Sequence, residues 1–86
     1  MLSTFARPKP CRIMLALRDN ESSWHLSKIA KTTDTTYVYV TGLMTQLQKS
    51  GWVTIEPRGK KRIVKLTDKG LKLANIINEF KLMTEI

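Results

Sequence analysis

Residues 35–51 read TTYVYVTGLMTQLQKSG, and this stretch decides the fold. Val40, Leu43, Met44 and Leu47 recur at the three- and four-residue steps that place side chains on one stripe of an α-helix, so one side of the segment is built for burial. The other side carries Val38, Tyr39, Thr41, Gly42, Thr45, Gln46 and Lys49, a face of hydroxyls, amide and cation that contains no acid. Such a face suits an anionic surface. Thr35 or Thr36 is placed to cap the amino end by accepting from a free backbone N–H, and Asp34 just upstream favours the positive end of the helix dipole. Gly51 stands where a left-handed residue closes a helix. About fifteen residues at ~1.5 Å each make a rod of roughly 22 Å, long enough to cross a groove about 12 Å wide such as the major groove of DNA.

An 86-residue chain has room for one domain, taken here as residues 1–86 with a short arm at residues 1–7. A charged fraction of 26% beside a hydrophobic fraction of 42% argues for a folded chain over a disordered one. A core of this size is thin, and association between copies would relieve it. Fifteen Lys and Arg against seven Asp and Glu leave a net charge of +8, which speaks about partners: nucleic acid first, an anionic membrane surface second. The apolar runs fall far short of the roughly eighteen residues that span a bilayer, so no membrane partner is expected. Nothing at the amino end has the apolar centre of a signal peptide, which reads as an intracellular, cytoplasmic and nucleoid-associated protein.

Cys11 and His25 are the single cysteine and the single histidine. They allow no internal disulfide and assemble no structural zinc site, and Cys11 reads as a small buried residue of the first helix in preference to a redox group. There is no Gly-rich phosphate loop, nucleophile elbow or close carboxylate pair, so the chain is read as a non-enzyme without cofactor or metal.

Outward from the central stretch, Pro8 and Pro10 mark the start of a first helix over residues 9–18, whose Cys11, Ile13, Met14, Leu15 and Leu17 exceed a single stripe and predict burial on more than one side. Residues 19–23 form a polar loop, and Trp24 fits a very short strand. Leu26, Ile29 and Ala30 define a second helix of about two turns, and a short turn then leads to the third. After Gly51, residues 52–56 alternate and residues 63–66 form a second β-rich run. Between them Pro57 and Gly59 supply a turn, and Arg58, Lys60, Lys61 and Arg62 make its tip basic. Thr67 caps a final helix over residues 67–86, with Asp68 in its first turn. Leu71, Leu73, Ala74, Ile76, Ile77, Phe80, Leu82 and Met83 leave that helix apolar around much of its circumference.

In this order, the segments Leu26-Ser27-Lys28-Ile29-Ala30, Tyr37-Val38-Tyr39-Val40-Thr41, Leu47-Gln48-Lys49-Ser50-Gly51-Trp52-Val53 and Leu66-Thr67-Asp68-Lys69-Gly70 resemble the signatures of MarR-like transcriptional regulators, over residues 11–74. The resemblance implies an α+β, mainly α, winged helix-turn-helix: a three-helix core, a short strand, a β-hairpin wing and a C-terminal helix. It further implies that residues 36–50 lie in the major groove of double-stranded DNA and that residues 58–62 form a wing reaching the minor groove or the backbone. Three positions depart from the pattern. Thr33 and Thr35 stand where apolar residues are common, and Gly42 stands where a polar or basic residue is usual. A glycine inside a helix costs about 1 kcal/mol relative to alanine. Either it lets the helix backbone approach a phosphate or base edge, or it makes room for a neighbouring side chain.

The candidate DNA contacts are Lys28 and Lys31 on the second helix, Thr35, Thr36, Tyr37, Tyr39, Thr41, Gly42, Thr45, Gln46 and Lys49 on the third, and Arg58, Lys60, Lys61 and Arg62 on the wing. The wing's run of cations without an acid exceeds what solubility asks for. Tyr39 faces outward by the helical count. Tyr37 is expected to turn its ring inward with its hydroxyl toward a phosphate, or to pack wholly in the core. Lys28 and Lys31 stand between phosphate and solvent, and Trp24 and Trp52 read as core. The width of the last helix predicts a homodimer seam of Leu2, Phe5, Leu73, Ile76, Ile77, Phe80 and Met83, unless the core of the single chain uses it all. The function expected is a sequence-specific double-stranded DNA-binding regulator. The alternative is a winged-helix docking module of transcription or replication machinery. RNA binding is less favoured, because the hairpin lacks exposed aromatics for stacking. The discriminator is geometric: a DNA reader needs the wing cations on the side of Thr41 and Thr45.

Overall fold

Pro8 and Pro10 occupy the first turn of α1 (Pro8–Ala16), where a missing N–H costs nothing. The computed structural model describes residues 7–19 and 23–84, so Leu2 and Phe5, two of the residues assigned to the seam, lie outside the described residues. Ile13, Met14 and Leu17 are buried and Cys11, Leu15 and Ala16 half-buried, which covers α1 on more than one side. The helix stops at Ala16, short of the expected Arg18, because Leu17 takes the capping position and the chain turns. Then follow β1 (Trp24–His25), α2 (Leu26–Thr32), α3 (Tyr37–Lys49), β2 (Val53–Arg58), β3 (Lys61–Leu66) and α4 (Asp68–Thr84).

The turn between α2 and α3 closes by backbone bonds. The N–H of Thr35 returns to the carbonyl of Ala30 at 2.9 Å and that of Asp34 to Lys31 at 3.4 Å, with Asp34 left-handed at φ 55°. This is a Schellman closure with aspartate where glycine is usual. Thr33 is buried, donates from Oγ1 to the Ile29 carbonyl at 2.7 Å, and lies 3.1 Å from Thr35 Oγ1. The two threonines that replace apolar residues thus satisfy each other and the backbone, which removes the penalty of burying a lone hydroxyl. α3 closes in the same way at Gly51 (φ 80°), with Trp52 N–H on Leu47 at 2.9 Å and Gly51 N–H on Gln48 at 3.1 Å.

Val40, Leu43, Met44 and Leu47 are all buried, as their spacing predicts, and join Ile13, Met14, Ile29, Val53, Val64 and Ala74 in one core. Full burial of a side chain of this size is worth about 1.5–3 kcal/mol, so the stripe anchors α3 firmly enough to leave its other side free for contact. The sheet is antiparallel in the order β1-β3-β2, with Trp24 opposite Val64 and His25 opposite Ile63. Pro57 departs from the reading of the turn: it lies inside β2 opposite Arg62, and Gly59 (φ 60°) with Lys60 makes the turn alone. β2 is an edge strand, where a residue without an N–H is tolerated.

α4 is fastened at its start. Thr67 Oγ1 donates toward the carbonyls of Gly51 (2.6 Å) and Trp52 (3.2 Å) and accepts from the N–H of Gly70 (3.0 Å). A Cβ on Gly70 would collide with the Trp52 carbonyl oxygen, so only glycine permits this approach. The Lys69 ammonium lies 4.2 Å above the Trp52 ring and donates to the Ser50 carbonyl at 3.1 Å, a cation at the carboxyl end of α3. Arg18 Nε donates to Asn75 Oδ1 at 3.0 Å and ties the end of α1 to α4.

Candidate nucleic-acid interface

Thr36 Oγ1 accepts from the Tyr39 N–H at 3.0 Å, which makes Thr36, not Thr35, the cap of α3. Thr35 is half-buried and engaged with Thr33. From Tyr37 a row at four-residue steps, Tyr37, Thr41 and Thr45, runs along one face of the helix. Its two threonine hydroxyls are committed: Thr41 Oγ1 donates to the Tyr37 carbonyl at 2.8 Å and Thr45 Oγ1 to the Thr41 carbonyl at 2.9 Å. With their protons turned back onto the helix, these oxygens present acceptors, which match amino groups on base edges better than acceptor-only phosphate.

The two tyrosines exchange their expected positions. Tyr37 is 53% exposed, whereas Tyr39 is half-buried against the core with the Lys9 ammonium 5.6 Å from its ring centre. Tyr37 opens the helix ahead of the buried stripe, and Tyr39 flanks Val40 on the side where α1 supplies surface to pack on. Tyr37 is therefore the outward aromatic and Tyr39 the packed one.

Two shallow grooves meet at Tyr37. One runs past Lys28, Lys31 and Thr35, and the other past Lys60, Lys61 and Arg62, with His25, Ser27 and Tyr37 common to both. The wing cations and the start of the Tyr37 row therefore lie on one side. Lys31, Gln46, Lys49, Arg58, Lys60, Lys61 and Arg62 are exposed. Lys28 is held within the chain, its ammonium 4.7 Å over the Trp24 ring and 3.5 Å from the Ser23 carbonyl. Arg58 lies 3.7 Å from the Glu56 carboxylate, so the wing has an acid at its base; both groups are exposed, and such a pair is worth about 0–1 kcal/mol. Trp24 is buried, with its indole N–H on the Asp19 carbonyl at 2.9 Å, and Trp52 is half-buried against the core.

Gly42 is exposed, and a Cβ there would meet nothing within 4 Å. Among the described residues, it makes room for no neighbouring side chain. Next to the row, Val38, Gly42 and Gln46 line a third hollow with Arg7, Pro10, Tyr39 and Leu43. Arg7, His25, Ser27 and Val38 border the three grooves, although the sequence does not single them out as contacts. His25 has one legible signal: it directly precedes α2 and caps it, Nδ1 accepting from the Lys28 N–H at 3.2 Å. Val38 stands on the outward face by the helical count, whereas Arg7 and Ser27 depend on how α1 and the sheet meet α3, which no local pattern encodes.

On α4, Leu73 and Ile77 pack against the core of the same chain, whereas Ile76, Phe80 and Met83 are exposed. Burial pushes the Cys11 thiol above its usual pKa, which keeps it protonated and poorly nucleophilic. Among the described residues, no group of His, Cys, Asp and Glu could hold a metal ion, and no helix is long and apolar enough to cross a membrane.

No family model and no curated protein matches the sequence. Solved structures do. AF1382 from Archaeoglobus fulgidus superposes with a TM-score of 0.85 at 23% identity, over 91% of this chain and 89% of that one. The MarR family transcriptional regulator SPO1453 from Silicibacter pomeroyi gives 0.79 at 25% identity, over 98% of this chain and 61% of that one. MepR of Staphylococcus aureus in its complex with DNA gives 0.74 at 19% identity, over 99% of this chain and 70% of that one. The chain has the winged helix-turn-helix fold of MarR-like regulators, mainly helical with a three-stranded sheet, as the sequence predicts. Transcription regulators are a non-catalytic class, which agrees with the reading of the chain as a non-enzyme.

Proposed function

We propose that the protein is a sequence-specific regulator that binds double-stranded DNA. α3 enters the major groove, with Thr36, Tyr37, Thr41, Gly42, Thr45, Gln46 and Lys49 toward base edges and phosphates. Arg58, Lys60, Lys61 and Arg62 of the wing reach the minor groove or the backbone. Lys31 meets phosphate beside α2, while Lys28, Thr35 and Tyr39 act from behind by fixing the turn and the helix. The observation that carries this reading is the groove in which Tyr37 adjoins Lys60, Lys61 and Arg62, because it supports a common side for wing and row. A net charge of +8 supplies the attraction. SPO1453 and the MepR complex with DNA lend support from outside the chain.

Residues 7–19 and 23–84 make one winged-helix unit of this regulator, which works inside the cell and pairs with a second copy along α4. Ile76, Phe80 and Met83 supply the exposed apolar surface of the seam, and Leu73 and Ile77 its inner edge. Each copy presents one α3 to one half of a pseudo-palindromic site. A docking module would leave the cations indifferent to the side on which α3 faces outward, so the shared groove favours DNA over protein as the partner.

Titration of random and selected duplexes at two salt concentrations tests the proposal. Binding should be tight at low salt, weaken steeply as salt rises, and prefer the selected duplexes. Absence of duplex binding at low salt would refute it.

A further inference from the structure

Gly42 weakens α3 without serving the fold. Glycine in a helix interior is less favourable than alanine, yet a Cβ here would meet no neighbour, so nothing in the described chain requires its absence. What it leaves is space on the outer surface. Val38 stands one turn earlier, 80% exposed, and the helical count sets it opposite the stripe of Val40, Leu43, Met44 and Leu47. It is a β-branched residue of modest helix preference with no contact in the core to justify it. The two residues line the same hollow, with Arg7 at its rim. Methyl groups beside a missing Cβ make an apolar notch on the outermost line of a helix whose other outward residues are hydroxyls, amides and one cation.

With α3 in the major groove, the reading on which this inference rests, the one apolar group that base pairs present to it is the C5-methyl of thymine. Val38 and Gly42 offer phosphate no side-chain donor, so a phosphate drawn to this hollow would be held by Arg7 at the rim and leave the notch itself to an apolar group. A protein partner fits poorly, since one side chain beside a glycine is a small part of the about 800 Å² per partner that a stable interface buries. Val38 is also the second residue of α3, and the first residues of a recognition helix are those that meet base edges. We infer that Val38 and Gly42 are specificity-determining residues that seat a thymine methyl group, Val38 by direct contact and Gly42 by letting the α3 backbone come close to the base.

The test uses the full chain. Bound duplexes are selected from a random pool, and each thymine of the selected site is replaced singly by deoxyuridine, which removes only the methyl group. Wild-type protein should lose roughly fourfold in affinity at one thymine, about what burying one methyl group is worth. Val38→Ser should bind the thymine and uracil duplexes alike. Gly42→Ala should bind the selected site more weakly while its thermal midpoint rises, which separates the loss from misfolding. Three outcomes overturn the inference and leave duplex binding intact: no thymine sensitive to loss of its methyl, a Val38→Ser variant that keeps the full discrimination, or a Gly42→Ala variant of unchanged affinity. No duplex binding by the wild-type chain at low salt overturns both the inference and the reading beneath it.

Discussion

Asp34 carries a side chain at φ 55°, a conformation that costs a residue with a Cβ roughly 1–2 kcal/mol, partly relieved for aspartate. Asp34→Gly is expected to raise stability by roughly 0.5–1 kcal/mol, the relief less glycine's greater unfolded freedom, as read from urea unfolding. Gly70 is the opposite case. Gly70→Ala forces a methyl into the Trp52 carbonyl and should cost about 2–3 kcal/mol in the same measurement, in the manner of overpacking. Thr36→Ala removes the acceptor for the Tyr39 N–H and should cost about 1 kcal/mol. Gly51 is legible in the sequence as a helix stop, because that role is written in a few adjacent residues. Gly70 belongs to a recognisable signature, but its reason is not legible, since the carbonyl it must clear belongs to Trp52, eighteen positions away in the chain.

At the scale of elements, the helices and the hairpin can be read because burial and capping follow local periods. Val40, Leu43, Met44 and Leu47 sit in the core where their spacing puts them. Pro57 cannot be placed in this way, because its position depends on the register that sets it opposite Arg62 and not on its own turn preference. Tyr37 and Tyr39 exchange roles for a related reason: the helical count orders residues around α3 but does not say which flank α1 covers. The convergence of Lys60, Lys61 and Arg62 on Tyr37 likewise requires the sheet. Replacing Lys60, Lys61 and Arg62 by glutamine should weaken binding to all duplexes similarly and lower the slope of log affinity against log salt by about one for each phosphate left without its cation. Circular dichroism should show an unchanged fold, since all three side chains are exposed.

The molecule as a whole is elongated, 43 × 26 × 25 Å, and α4 ends in exposed apolar residues, with Phe80 at 68%. Phe80→Glu combined with Ile76→Glu should convert a dimer into a monomer in sedimentation while leaving the thermal midpoint of the monomer nearly unchanged, because neither side chain lies in the core. A wild-type chain that is already monomeric at micromolar concentration would sink the seam.

The fastening of Thr67 and Gly70 onto Gly51 and Trp52 bears on what such a pair can read. With a hydroxyl shared between two carbonyls and no room even for a methyl group, this joint has no slack. A tilt of α4 must drag the far end of α3 and the root of β2 with it. Two copies joined along α4 would therefore behave like a caliper with a locked pivot, accepting one distance between half-sites and rejecting a duplex lengthened by a single base pair.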